Sequence, residues 1–149
     1  MNYWTESKQN IYVAAHRGWS EKYPENTMIA YRKAAELGVD QIEIDVRESK
    51  DGHLVIMHDA TVDRTTNGNG FVEELPLAQI LELDAGSWKG EEFAGERVPT
   101  FAEFLEFAVS LPDMTFDIEL KEYPTDGREE QAYSVCDRVL ALLDGMEGK

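Results

Sequence analysis

The chain has 149 residues and a formal net charge of −16 at pH 7. This length is sufficient for one domain with a hydrophobic core. The acidity argues against a general nucleic-acid-binding surface, because phosphate backbones are bound by basic patches. A solvated acidic surface is the common consequence of such a charge, which also suits a protein that holds a divalent cation.

Cysteine content and hydropathy constrain the environment of the chain. Cys136 is the single cysteine, so no internal disulfide is possible. It lies at an apolar position of a helical pattern, which predicts a buried, inert thiol. No apolar run approaches the length of a membrane span, and residues 1–10 lack the apolar core of a signal peptide. These features predict a cytoplasmic protein without a membrane span.

Predicted strands alternate with predicted helices along the chain. Strands are predicted at 11–16, at 41–49, after the Asp51-Gly52 turn up to His58, and at 114–121. Helices are predicted at 24–39, 76–86, 100–111 and 128–146. This alternation favours a parallel sheet with crossover helices.

Local signals mark several element boundaries. Asn26 or Thr27 can cap the first helix, Gly38 can end it, and Thr100 can cap the third helix. Residues 86–99 form a loop and are the best candidate for a local insertion.

Charged side chains interrupt two of the predicted strands. Glu43 and Asp45 are two residues apart and therefore point to the same side of their strand. Asp117, Glu119 and Lys121 share one face in the same way. Salt bridges across a partly exposed sheet would explain this pattern. So would a functional site, because buried carboxylates need to be paired or bound to a metal.

The residue types favour a site that combines a cation with a phosphate. Glu43, Asp45 and Glu119 form a hard oxygen set, which suits Mg²⁺ or Ca²⁺ better than zinc. His16 and His58 end two predicted strands and suit proton transfer, since imidazole titrates near neutral pH.

Two positively charged side chains could bind the phosphate, and the candidate residues share a position near strand ends. Arg17 and Lys121 can form a phosphate clamp. All the candidate residues lie at or near the carboxyl ends of predicted parallel strands, where α/β proteins place their active sites. His53 precedes its strand and is interpreted as an exposed turn residue.

An ordered set of motifs resembles the glycerophosphodiester phosphodiesterases. The motifs are "HRG" at 16–18, "PENT" at 24–27, "EIDVRESKDGHLVIMHD" at 43–59, "LDAGSW" at 83–88, "VPTFAEFLE" at 98–106 and "IELK" at 118–121. The resemblance implies an α/β fold of the TIM-barrel type. It also implies metal-dependent hydrolysis of glycerophosphodiesters to glycerol 3-phosphate and an alcohol, in glycerol and lipid metabolism.

The resemblance also implies a role for each matching residue. Metal ligands would be Glu43, Asp45 and Glu119, holding one Mg²⁺ or Ca²⁺. The general acid and base would be His16 and His58, and the phosphate-binding residues would be Arg17 and Lys121.

The length of the chain conflicts with a complete barrel. A TIM barrel has eight strands and typically about 250 residues. Residues 1–149 would then be a partial domain, about the first half, with four βα units. Such a half-barrel would expose two sheet edges and apolar side chains. The chain would therefore self-associate or belong to a longer protein with a C-terminal half.

Two alternatives remain open at this point. The chain could be an inactive half-barrel fragment or assembly module whose edges bind another chain. Within enzymes, a phosphatidylinositol-type phospholipase also uses paired histidines in a barrel, although the three carboxylates favour the metal-dependent branch.

Overall fold

The computed structural model describes residues 12–125 and 127–146, so residues 1–11, including Ile11 of the first predicted strand, lie outside the described part. The strands are β1 (Ala14–Ala15), β2 (Gln41–Glu48), β3 (Leu54–Ile56) and β4 (Thr115–Leu120). The helices are α1 (Met28–Leu37), α2 (Leu77–Ile80), α3 (Phe101–Val109) and α4 (Glu129–Asp144). Short 3₁₀ turns occur at Val72–Glu74 and Glu91–Phe93.

β2 is the central strand of the sheet. β1 and β4 run parallel to it, with Ala15 opposite Ile42 and Glu119 opposite Asp45. β3 pairs with the end of β2 in the antiparallel direction, with Ile56 opposite Val46.

The predicted parallel direction of the third strand is therefore wrong. Only a tight turn containing Gly52, with a φ of 81°, separates β2 from β3. A parallel connection needs a crossover of a dozen or more residues, so this short link permits only antiparallel pairing. The described residues thus contain three parallel strands and one antiparallel strand instead of four βα units.

The two faces of β2 differ in chemistry. Ile42, Ile44 and Val46 are fully buried and belong to a core that includes Tyr31 of α1 and Phe104 of α3. The intervening side chains point to the other face, because successive strand residues alternate. This alternation places the carboxylates of Glu43 and Asp45 on the face opposite the helices.

The predicted helix boundaries agree with the observed caps of α1 and α3. The Thr27 hydroxyl accepts a hydrogen bond from the Ala30 N–H, and Gly38 ends α1 in the left-handed conformation. Thr100 and Glu103 form a reciprocal capping box at the start of α3. These side chains satisfy N–H groups that the first turn of a helix leaves free.

A second core lies beneath the long segment between β3 and α3. Its buried members are Val55, Met57, Val62, Val72, Ile80, Ala85 and Val98. The helix predicted at 76–86 is limited to α2, and the chain then turns at Asp84, which accepts N–H bonds from Gly86, Ser87 and Gly95. Within the predicted loop 86–99 there is one 3₁₀ turn. That the loop 86–99 is a local insertion stays a prediction.

The apolar side chains of β4 are only partly covered by the main core. Phe116, Ile118 and Leu120 are half-buried and pack against the main core, while Asp117 and Glu119 on the other face are exposed. The apolar side chains of β4 are therefore only partly exposed, less than a bare half-barrel edge would predict.

Two smaller expectations concern the thiol and the membrane. Cys136 is half-buried, so its side chain is less buried than the sequence predicts. In the part of the chain that the structure describes, no helix has the length and apolarity needed to span a membrane.

Candidate active site

The three predicted carboxylates come together across β2 and β4. Asp45 and Glu119 are direct neighbours in the parallel register, and Glu43 lies two residues before Asp45. One oxygen atom from each of the three side chains lies within 4.8 Å of the others. Glu43 and Asp45 are buried, whereas Glu119 is exposed. The strand pairing thus gathers three negative charges at a single point.

Glu43 is the least compensated member of this group. Its Oε2 accepts a hydrogen bond of 2.7 Å from the Arg17 N–H. Its Oε1 is buried without a hydrogen-bond donor among the described residues. Burial and the neighbouring charge of Asp45 raise the pKa of Glu43 to about 7. A divalent cation at this point would satisfy Oε1 and favour the ionised carboxylate. The residues therefore fit such an ion.

Asp45 is compensated from several sides. Its Oδ2 accepts a hydrogen bond of 2.7 Å from Asn26 Nδ2 and lies 3.4 Å from Arg17 Nε. Its Oδ1 lies 2.9 Å from Lys121 Nζ in an ion pair. Asn26 is held in turn by the Tyr31 hydroxyl, which donates to its Oδ1 at 2.7 Å. This buried chain of contacts connects α1 to the site.

The loop that follows β1 has an unusual backbone. Arg17 and Asn26 have φ values of 60° and 56°, which residues other than glycine seldom adopt. Gly18 has a φ of 77°, and a Cβ atom there would lie 2.8 Å from Ala30. Glycine at position 18 therefore lets the loop approach α1 closely. Such backbone strain is frequent at functional sites.

The two predicted phosphate-binding cations both lie beside the carboxylates. The Arg17 guanidinium donates to Glu25 Oε1 at 2.9 Å. Lys121 is buried, and its Nζ lies 2.6 Å from Glu119 Oε1. Burial opposes ionisation of Lys121, but its ion pairs with Glu119 and Asp45 raise its pKa overall. Lys121 therefore stays charged at neutral pH.

The two candidate histidines differ in their surroundings. His58 is half-buried, and its Nδ1 lies 2.7 Å from Asp59 Oδ1. The His58 carbonyl accepts two hydrogen bonds from the Arg47 guanidinium, at 3.0 and 2.7 Å. His16 is exposed, and its Nε2 lies 4.0 Å from Glu43 Oε2. His53 is exposed, as predicted.

Several residues at this site were missed by the sequence analysis. Glu25 and Asn26 contact the site from the "PENT" motif, and Asp59 contacts it from the "HD" that follows β3. All three residues belong to motifs that carry the family resemblance, but Asn26 was predicted only as a possible helix cap, and Glu25 and Asp59 were assigned no role. Arg64 bonds to Glu25 and Asp59 from a long loop, where the sequence gives no signal.

The sequence and fold identify the class of protein. The chain belongs to the glycerophosphoryl diester phosphodiesterase family, whose family model matches residues 16–146. It is 55% identical over 109 residues to a glycerophosphodiester phosphodiesterase of Caldanaerobacter subterraneus subsp. tengcongensis, with 73% of this chain and 44% of the relative covered. A putative glycerophosphodiester phosphodiesterase of Bacillus subtilis is 45% identical over 122 residues, with 81% and 49% covered.

Solved structures agree with this assignment. An Oleispira antarctica phosphodiesterase in complex with the product sn-glycerol-3-phosphate has a TM-score of 0.77 and 43% identity, with 88% of this chain and 52% of that chain covered. A glycerophosphodiester phosphodiesterase of Agrobacterium tumefaciens has a TM-score of 0.70 and 43% identity, with 73% and 46% covered. The predicted family and the α/β TIM-barrel fold are confirmed. The chain spans about half the length of these relatives.

The contact between Tyr31 and Asn26 predicts a cost for losing one hydroxyl. Tyr31→Phe leaves the Asn26 Oδ1 acceptor buried without its donor, so the free energy of unfolding should fall by about 1–3 kcal/mol. Guanidinium unfolding followed by circular dichroism measures this change. The matched control is Tyr133→Phe, because Tyr133 is 62% exposed and its substitution should change stability by less than about 0.5 kcal/mol. Equal stability of the two variants would contradict the assigned role of Tyr31.

Proposed function

We propose that this chain carries the metal-binding and acid–base half of a phosphodiesterase site. The whole enzyme would hydrolyse glycerophosphodiesters to glycerol 3-phosphate and an alcohol. The observation that carries the proposal is the convergence of Glu43, Asp45 and Glu119 beside the cations Arg17 and Lys121. The Oleispira antarctica relative, which holds sn-glycerol-3-phosphate, supports the choice of substrate class.

The three carboxylates would hold one Mg²⁺ or Ca²⁺ ion. Their oxygen atoms are the ligands that these cations prefer, and Glu43 Oε1 lacks any other partner among the described residues. When bound, the cation would neutralise negative charge on the phosphoryl oxygens. It would also relieve the repulsion between Glu43 and Asp45.

Arg17 and Lys121 would bind the phosphate group. A guanidinium offers a planar fork of N–H donors to phosphate oxygens, and an ammonium offers a point charge. Both side chains are restrained by carboxylates, Arg17 by Glu25 and Lys121 by Asp45 and Glu119. Little side-chain ordering would then be needed when the substrate binds.

His58 and His16 would move the protons. His58 Nδ1 lies 2.7 Å from the Asp59 carboxylate, and a hydrogen bond donated by Nδ1 to that carboxylate would leave Nε2 to exchange a proton with the substrate. One histidine would remove the proton of the glycerol 2-hydroxyl as it attacks phosphorus, and the other would protonate the leaving alcohol. Water would then open the resulting cyclic phosphate, with the two roles reversed.

The cellular location and the metabolic role of the protein are predicted from the sequence alone. The cytoplasmic location and the place in glycerol and lipid metabolism stay predictions. The phosphatidylinositol-type phospholipase is the weaker alternative, because the family match and the three converging carboxylates favour the metal-dependent reaction.

Cation binding is the first test of this function. Isothermal calorimetry with Mg²⁺ and Ca²⁺ should detect one site, and Glu119→Gln should weaken binding at least about 10-fold, since one of three charged ligands is lost. Asp117→Asn is the matched control, because Asp117 is an exposed carboxylate on the same strand outside the cluster. Equal affinities of Glu119→Gln and the wild-type protein would remove Glu119 from the ligand set.

Substitution of His58, the half-buried candidate histidine, tests its role in proton transfer. In the full-length or assembled enzyme, His58→Ala should lower kcat on glycerophosphocholine by at least about 10²-fold, because one proton transfer loses its catalyst. His53→Ala removes an exposed imidazole of the β2–β3 turn and should leave kcat unchanged. Normal turnover by His58→Ala would exclude His58 from the mechanism.

The assembly of the barrel is the third point to test. β4 has β2 as its partner and no strand on its other edge among the described residues, and the relatives are about twice as long. We therefore expect further strands to complete the site, from a second copy or from the rest of a longer protein. Sedimentation velocity of the 149-residue chain should show self-association, or dye binding should reveal exposed apolar surface. A monomer with cooperative melting and no dye binding would contradict this expectation.

A further inference from the structure

Arg64 occupies a position between two carboxylates. Its Nε and Nη2 donate to Asp59 at 2.7 and 3.1 Å. Its Nη1 and Nη2 donate to Glu25 at 2.9 and 2.8 Å. The guanidinium thus forms a two-sided fork, which a lysine ammonium cannot reproduce. The Arg64 side chain is 45% exposed, so this arrangement does not serve to fill the core.

Each of these carboxylates holds a candidate site residue. Asp59 Oδ1 lies 2.7 Å from His58 Nδ1. Glu25 Oε1 lies 2.9 Å from Arg17 Nη1. Arg64 is therefore connected through Asp59 to His58, the candidate proton-transfer residue. It is connected through Glu25 to Arg17, the candidate phosphate-binding residue. Its hydrogen bonds also contribute to lowering the pKa of both carboxyl groups, which keeps them ionised as acceptors.

The second core determines where Arg64 lies. The neighbouring Val62 is fully buried in that core, and Thr66 is buried with its hydroxyl donating to the Val62 carbonyl at 2.7 Å. This turn fixes the backbone on both sides of Arg64. The long segment between β3 and α3 is thereby connected to the site through one side chain.

We propose that Arg64 is a positioning residue of the reaction. It orients His58 through Asp59 and Arg17 through Glu25, and the proposal rests on the function proposed above. The competing explanation is that Arg64 only ties the loop to the sheet. An exposed ion pair with that role alone would affect stability slightly and catalysis not at all.

Steady-state kinetics and product binding separate these explanations. In the full-length or assembled enzyme, Arg64→Gln should lower kcat on glycerophosphocholine at least about 10-fold, because His58 loses its fixed orientation. It should also weaken calorimetric binding of sn-glycerol 3-phosphate several-fold, because Arg17 is released. Arg64→Lys retains the charge and should recover part of both losses.

The control is an arginine of the same segment. Arg97 is 58% exposed and lies 3.5 Å from Glu103, so it is also paired with a carboxylate. Arg97→Gln should leave kcat and product affinity unchanged. A double-mutant cycle adds a test of the route, because Arg64→Gln and Asp59→Asn should be non-additive in kcat if Arg64 acts through Asp59.

Two results would overturn the role of Arg64. One is a folded Arg64→Gln enzyme with wild-type kcat and wild-type product affinity, and the other is strict additivity of the two substitutions. If Arg64→Gln does not fold, Arg64→Lys is judged by the same two measurements. A wild-type enzyme that binds sn-glycerol 3-phosphate but hydrolyses no glycerophosphodiester would reject the proposed function instead, and product affinity would still test the link from Arg64 to Arg17.

Discussion

The contacts of Asp45 join three separate segments of the chain. Asn26 reaches this buried carboxylate from the start of α1, Arg17 from the end of β1, and Lys121 from the end of β4. An isolated charge in a protein interior costs several kcal/mol, so this carboxylate requires partners on all sides. Satisfying it fixes the relative positions of the loop after β1, the first helix and the fourth strand.

Alternation along β2 allows one strand to serve both the core and the site. Ile44, flanked by Glu43 and Asp45, is buried among the helices, while the carboxylates face the opposite side. A shift of one residue in the pairing with β4 would separate Asp45 from Glu119 and expose the apolar residues. The hydrophobic core therefore sets the register that assembles the carboxylates.

The antiparallel strand β3 brings a distant part of the chain to the same site. Because β3 turns back along β2, His58 returns to the level of the carboxylates, where the Met57 N–H donates to the Asp45 carbonyl at 3.0 Å. The following segment has its own core, and this core places Arg64 against Glu25 and Asp59. Residues far apart in sequence thus surround a single position.

The sequence by itself determined the family, the cap at Thr100, and the shared faces of Glu43 with Asp45 and of Glu119 with Lys121, and it limited the cap of α1 to Asn26 or Thr27. These features follow from local periodicity, local capping chemistry and short motifs, which act over a few residues. The short link at Asp51-Gly52 already specifies an antiparallel β3, although the alternation of strands and helices pointed to a parallel sheet. Only the tertiary structure decided the pairing of Asn26 with Asp45 and the placement of Arg64. Those features depend on strand pairing and on packing between distant segments, so no local pattern could specify them.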